Sequence, residues 1–195
     1  MNTALELFSS LPPPLPLLRF SVEQYHRLGE LGVLSADEKV ELLEGWIVEK
    51  MNQRPIHGYT VRRLCEILQN DLPSGFLVQC QLPITTERSE PEPDIAIIRG
   101  RNQDFREHHP FGTDCRLVVE VADTSLQRDR AKAAIYCSAG VEEYWIVNVN
   151  DQCLERFQLC RETMAYHETR FAMDQEVSIQ IGDAMVAIDL QQLFS

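Results

Sequence analysis

The chain has 195 residues, 44% hydrophobic and 25% charged, a balance that excludes a disordered or fibrous protein and predicts a folded one with a substantial core. Its net charge of −12, from 30 acidic and 18 basic residues, argues against a protein that coats polyanions non-specifically. It leaves room for clustered carboxylates neutralised by divalent ions, and for a local basic groove. No apolar run reaches the roughly 18 to 20 residues that a bilayer requires, the first twenty residues lack a basic leader, and a cytoplasmic protein is expected. Cys65, Cys80, Cys115, Cys137, Cys153 and Cys160 form no C-x-x-C pair, and the five histidines show no zinc-ligand spacing. Free thiols are expected, with neither zinc nor disulfides.

Residues 1–19 read as a proline-rich arm, through Pro12, Pro13, Pro14 and Pro16, suited to an extended contact with a partner subunit. Residues 20–195 read as one domain. Ser21 and Gln24 resemble a capping box, and Val22, Tyr25, Leu28 and Leu31 keep helical spacing, so a short helix over 22–31 ends at Gly32. VELLEG and WIVEKM, 40–51, predict two strands about a tight turn at Glu44-Gly45. Val61, Leu64, Cys65 and Leu68 place a second helix from His57 to about Leu72, before Pro73 and Gly75.

Strands follow at 76–84, 93–100 and 115–122, the last two apolar enough to be buried on both faces. Ser125 as N-cap and Gly140 beyond the last turn bound a helix over 126–139, which feeds an apolar strand over 143–149. LERFQL, AYHETRF and EVSIQI read as weaker alternating strands, and DLQQLF as a short closing helix. The order from 57 to 149 is helix, three strands, helix, strand. It predicts an α/β fold with a mixed sheet, extended by additional antiparallel strands or carrying a dimer edge.

Asp94 and Glu120 stand out because each interrupts an apolar strand, where a carboxylate is costly unless paired. Two hard oxygen donors on neighbouring strands suit Mg²⁺ or Mn²⁺. The competing readings are ordinary: Glu120 facing an arginine, Asp94 orienting a turn after a proline. Lys132, on the helix after the Glu120 strand, is placed to orient a water and to stabilise charge on a phosphate, if it is more than a surface lysine. Asp129 and Tyr136 share its helix face at spacings of three and four.

EPEPDIAII, LVVEVADTSLQRDRAKAAIY and AGVEEYWIVNV together resemble the signature of the Uma2-like proteins of the PD-(D/E)XK nuclease superfamily. VELLEG and His57 are similar to that family's amino-terminal motifs, so the resemblance runs from about Phe20 to the end. It implies a restriction-endonuclease-like core, Asp94 and Glu120 as metal ligands, and Lys132 as the catalytic lysine. Glu41 is implied as the further acidic ligand, with Glu44 as the competing choice. His57 is implied as a phosphate or pocket contact, against the alternative of a satisfied helix-terminal histidine. One departure is plain: the superfamily's lysine belongs two residues after the acidic one, where this chain has Ala122. Lys132 is then recruited from the following helix, and the role of Asp129 stays open.

The expectation is a divalent-metal-dependent endonuclease acting on DNA with Mg²⁺ or Mn²⁺, as a homodimer and without a membrane partner. Its alternatives are a non-catalytic dimeric scaffold or DNA-associated binding module on the same fold, or a hydrolase of a smaller phosphate ester.

Overall fold

The computed structural model describes residues 17–35 and 37–194; most of the expected proline-rich arm lies outside the described residues. Helix α1, Val22–Glu30, begins with the expected capping box: Ser21 Oγ accepts from the Gln24 amide at 3.1 Å while Gln24 Oε1 accepts from the Ser21 amide at 2.9 Å. It stops at Gly32, whose φ of +68° no ordinary helix continues. Strands β1 (Val40–Leu43) and β2 (Trp46–Glu49) pair antiparallel through Glu44 and Gly45, both at positive φ as a two-residue hairpin turn requires. A side chain at Gly45 would also strike Arg19, with a Cβ only 2.7 Å from its Cβ.

Helix α2 spans Pro55–Asn70, with proline in the first turn, where its missing N–H costs nothing. Its buried face is His57, Thr60, Val61, Leu64, Cys65 and Leu68. Then come β3 (Phe76–Cys80), β4 (Ile95–Arg99), β5 (Cys115–Ala122), helix α3 (Leu126–Ser138), β6 (Glu143–Asn148), β7 (Cys153–Cys160) and β8 (Ala165–Ala172). These six strands form one mixed sheet in sequence order, every pair antiparallel except β5 with β6, which α3 joins as a parallel crossover.

Alternation along β5 divides the core. Leu117, Val119 and Val121 face α2, while Val118 and Ala122 face the side that includes Tyr136 of α3. Strands β9 (Glu176–Ile181) and β10 (Ala184–Asp189) and helix α4 (Gln191–Phe194) complete the described fold. Their inward residues, among them Ile179, Val186 and Leu193, join the α2 side.

Four expectations need correction. The outer hairpins do not all lengthen the central sheet: β7 and β8 do, but β1–β2 and β9–β10 are separate two-stranded sheets. In β9 every second residue is buried, so that hairpin lies face-on over the core. Strand β10 is absent from the sequence reading, because AMVAID offers only Val186 and Ile188 as fully inward side chains. Strand β3 ends at Cys80 and not near Ile84, since Gln81 turns left-handed at φ +51° and Pro83 follows. Ser125 does not cap the α3 backbone; its hydroxyl donates instead to Asp129 Oδ2 at 2.5 Å.

Candidate active site

Asp94 immediately precedes β4. Since Ile95 pairs with Val119, antiparallel register sets Asp94 beside Glu120 on one sheet face. Asp94 Oδ2 accepts from the Val121 amide at 2.8 Å and meets His57 Nε2 at 2.9 Å, while Gln81 Nε2 donates to Oδ1 at 3.4 Å. His57 therefore turns its Nε2 toward Asp94. Its Nδ1 is buried without a hydrogen-bond partner among the described residues. Burial opposes protonation of this ring, yet the bond and charge of Asp94 outweigh it and raise its pKa.

Lys132 reaches the same place from α3. Lys132 is 4% exposed, and its ammonium lies 2.9 Å from the Glu41 carboxylate and 3.0 Å from Glu120 Oε1. Tyr136, one turn further on, donates its hydroxyl to that same Glu120 oxygen at 3.1 Å. The position two residues after Glu120 is filled by the buried Ala122, and the helix supplies the cation that the strand does not.

Glu41 and Glu44 part company. Glu41 points inward from β1 and also accepts from the Glu92 amide at 3.2 Å. Glu44 occupies the hairpin turn and pairs with Arg88 at 2.6 Å. Glu41→Ala is expected to weaken divalent-ion binding at least about tenfold, since losing even an outer-shell partner of a metal ligand costs that much, with Glu44→Ala near wild type. Calorimetric Mn²⁺ titration of both variants checks this, and equal losses would reverse the choice.

Asp129 is the member that sequence reasoning left open. It is buried one turn before Lys132; six acidic side chains line one cavity of about 70 Å³, and with Glu92 paired to Lys50 and Asp123 to Arg54, the buried Glu41, Asp94, Glu120 and Asp129 are left to share Lys132 and His57. One ammonium, even with the His57 imidazole beside Asp94, cannot balance four buried carboxylates. Burial is the largest influence on both Glu120 and Asp129. Although Lys132 pulls the other way, Glu120 is pushed up to about 8 and Asp129 to about 6, with neighbouring carboxylates adding to the rise. Burial also works against the charge of Lys132, but Glu120, Glu41 and Asp129 together raise its pKa, so it stays an ammonium.

Among the described residues no three His, Cys, Asp or Glu side chains are already disposed around a metal position; the lysine holds Glu41 and Glu120 itself. At the rim, Lys50 pairs with Glu92 and Arg54 with Asp123, and the latter pairing holds the Asp123 carboxyl below its ordinary value. Arg128 donates to the Glu49 carbonyl at 2.6 Å. Sequence reasoning missed Arg54, Asp123 and Gln81. Only Asp123, a third carboxylate just beyond β5, left a signal that could have been followed.

Residues 22–189 match the Uma2 family, described as "Putative restriction endonuclease". The chain belongs to the Uma2 family. This Uma2 chain also superimposes on the crystal structure of "a putative nuclease belonging to DUF820" from Anabaena variabilis, with a TM-score of 0.73 at 12% identity, covering 92% of this chain and 98% of that one. At that identity the likeness is one of fold. No curated protein matches. Among the described residues no helix is long and apolar enough to cross a membrane.

Proposed function

We propose that this Uma2 chain is a divalent-metal-dependent endonuclease that hydrolyses phosphodiester bonds of DNA, with Glu41, Asp94 and Glu120 as metal ligands and Lys132 as the catalytic lysine. The observation that carries the reading is the gathering of four buried carboxylates at one cavity with a buried ammonium that pairs with two of them, Glu41 and Glu120. A scaffold has no use for such a cluster, whose desolvation cost is large and whose charge is unbalanced. The donors fit Mg²⁺ or Mn²⁺: all are hard oxygens, and no described residue hydrogen-bonds Glu120 Oε2. When bound, such an ion lowers the pKa of water and offsets phosphate charge.

The chain's own residues do the rest. Val121 and His57 hold Asp94 in one orientation, and Tyr136 does the same for Glu120. Lys132, fixed between Glu41 and Glu120, presents an ammonium to the attacking water and to the phosphate oxygens. Residues 20–195 act as one domain in this reading, and a homodimer would bring one such site to each strand of a duplex. A monomeric mass by light scattering at micromolar concentration would remove that last point.

The test is cleavage of supercoiled and linear DNA with Mg²⁺ or Mn²⁺ by wild type, Asp94→Ala and Glu120→Ala. Metal-dependent nicking by wild type, reduced by about a thousandfold or more in both variants, is expected from the loss of a ligand to the reacting centre. Silence of all three across salt and metal conditions would sink the reading. The net charge of −12 favours one rival, a smaller phosphate ester as substrate. Inhibition of nicking by a mononucleotide at concentrations where duplex DNA does not compete would favour that rival.

A further inference from the structure

Beside the carboxylate cluster lies a pair of side chains that hydrolysis does not use. Cys65 sits on α2 and Cys80 ends β3, and their Sγ atoms are 2.8 Å apart. That is well inside ordinary contact between unbonded sulfurs, yet longer than the covalent distance of about 2.05 Å. Cys80 is exposed and Cys65 buried. Both line a groove of about 440 Å³, together with Arg62, Glu66, Gln69 and Gln81. Among the described residues Arg62 forms no ion pair, while Glu66 is engaged by Arg63 at 3.4 Å, so the groove keeps a cation able to meet an anionic reagent.

We propose that Cys65 and Cys80 form a reversible oxidation site, a dithiol that closes to an intramolecular disulfide on reaction with a small, anionic disulfide of the glutathione type. The exposed Cys80 thiolate attacks one sulfur of the reagent, forming a mixed disulfide and releasing one thiolate. Cys65 then loses its proton and its sulfur displaces the second thiolate from Cys80. Two thiols have lost two electrons and two protons, and the reagent disulfide has become two thiols.

The surroundings agree with this order. The hydrogen bond shared with Cys65 lowers the Cys80 pKa against the opposing effects of burial and the Asp94 charge, and with its exposure this favours Cys80 as the first nucleophile. The other cysteines provide internal controls. Cys115 and Cys153 are buried, and Cys160 is exposed with no sulfur neighbour among the described residues. The site stands independently of the nuclease reading, but it borders that centre. Helix α2 also carries His57, and the residue after Cys80 is Gln81, whose side chain reaches Asp94.

The full chain is incubated in chelator with a series of glutathione disulfide to glutathione ratios, quenched by acid, digested without reduction and read by mass spectrometry. The expected result is a cross-linked peptide pair containing Cys65 and Cys80, lighter by roughly two hydrogens and reversed by dithiothreitol, while Cys160 carries only the mixed disulfide. Closing a loop of this length should raise the apparent Tm by about 5–10 °C. That rise should be absent in Cys80→Ser, a mild change at an exposed position that keeps the fold testable by circular dichroism. Three results would overturn the proposal: Cys80 stopping as a stable mixed disulfide with Cys65 still free, the pair staying reduced while Cys160 is modified, or an equal Tm rise in Cys80→Ser.

Discussion

Lys132→Ala is expected to lower metal-dependent DNA cleavage by at least about 10²–10³-fold, the scale of losing a preorganised charge at a reacting phosphate, while Mn²⁺ binding persists or tightens. The two outcomes separate because the ammonium competes for the oxygens of Glu41 and Glu120 that would also bind a cation. The same substitution strands buried carboxylates, which costs roughly 3–5 kcal/mol when one partner of a buried pair is removed. Uptake of protons by the acids would soften that loss. Cleavage is therefore measured well below the variant's own Tm, with Lys132→Met alongside to retain the packing. Nicking at the wild-type rate in either variant would remove Lys132 from the chemistry.

Glu120→Gln should give the opposite pairing of effects: cleavage lost by about a thousandfold or more for want of a ligand, with stability retained or increased. Burial, helped by Asp129, Asp94 and Glu41, lifts the folded-state Glu120 value from 4.5 to about 8. With the folded value above the unfolded one, ionising Glu120 costs stability. The cost grows as pH rises from about 4.5 and is complete above about 8. A neutral amide of the same shape escapes it, so any gain in Tm should be largest at pH 8–9 in metal-free buffer. Wild type should recover the difference on adding Mg²⁺, and the variant should not. Calorimetric scans across pH with and without the ion decide this. A fall in Tm at pH 9 of the size produced by truncating buried Trp145 would mean that the carboxylate is a structural support.

The sequence exposed Asp94 and Glu120 for a simple reason. Acidic residues inside DIAII and LVVEVA violate the apolar pattern around them, and such a violation needs a compensating partner. Lys132 drew notice by its place after the Glu120 strand, but only the resemblance raised it above an ordinary helix lysine, which is usually solvated. The signal that it is not lay in its neighbours: Asp129 and Tyr136 occupy the same face, so this helix buries a polar row where an apolar stripe is usual.

The resemblance favoured Glu41 over Glu44, and the geometry separates them for a reason the sequence did not show: Glu41 points inward from β1 while Glu44 sits in the hairpin turn. The failures are of another kind. Whether a hairpin joins a sheet at its edge or lies across its face depends on long-range packing, which local period does not encode. The Cys65 and Cys80 contact, fifteen residues apart across a helix and a strand, likewise leaves no spacing signature.

The hairpin that carries Glu41 is not part of the six-stranded sheet, and the five charged positions come from β1, the residue before β4, β5 and, for Asp129 and Lys132, α3. No contiguous stretch of the chain contains the whole centre. A nascent or partly unfolded molecule, even one with the sheet formed, holds only a fraction of it. On the proposed reading, hydrolytic competence would track completion of the tertiary structure, and incompletely folded copies would pose little hazard to the nucleic acid around them.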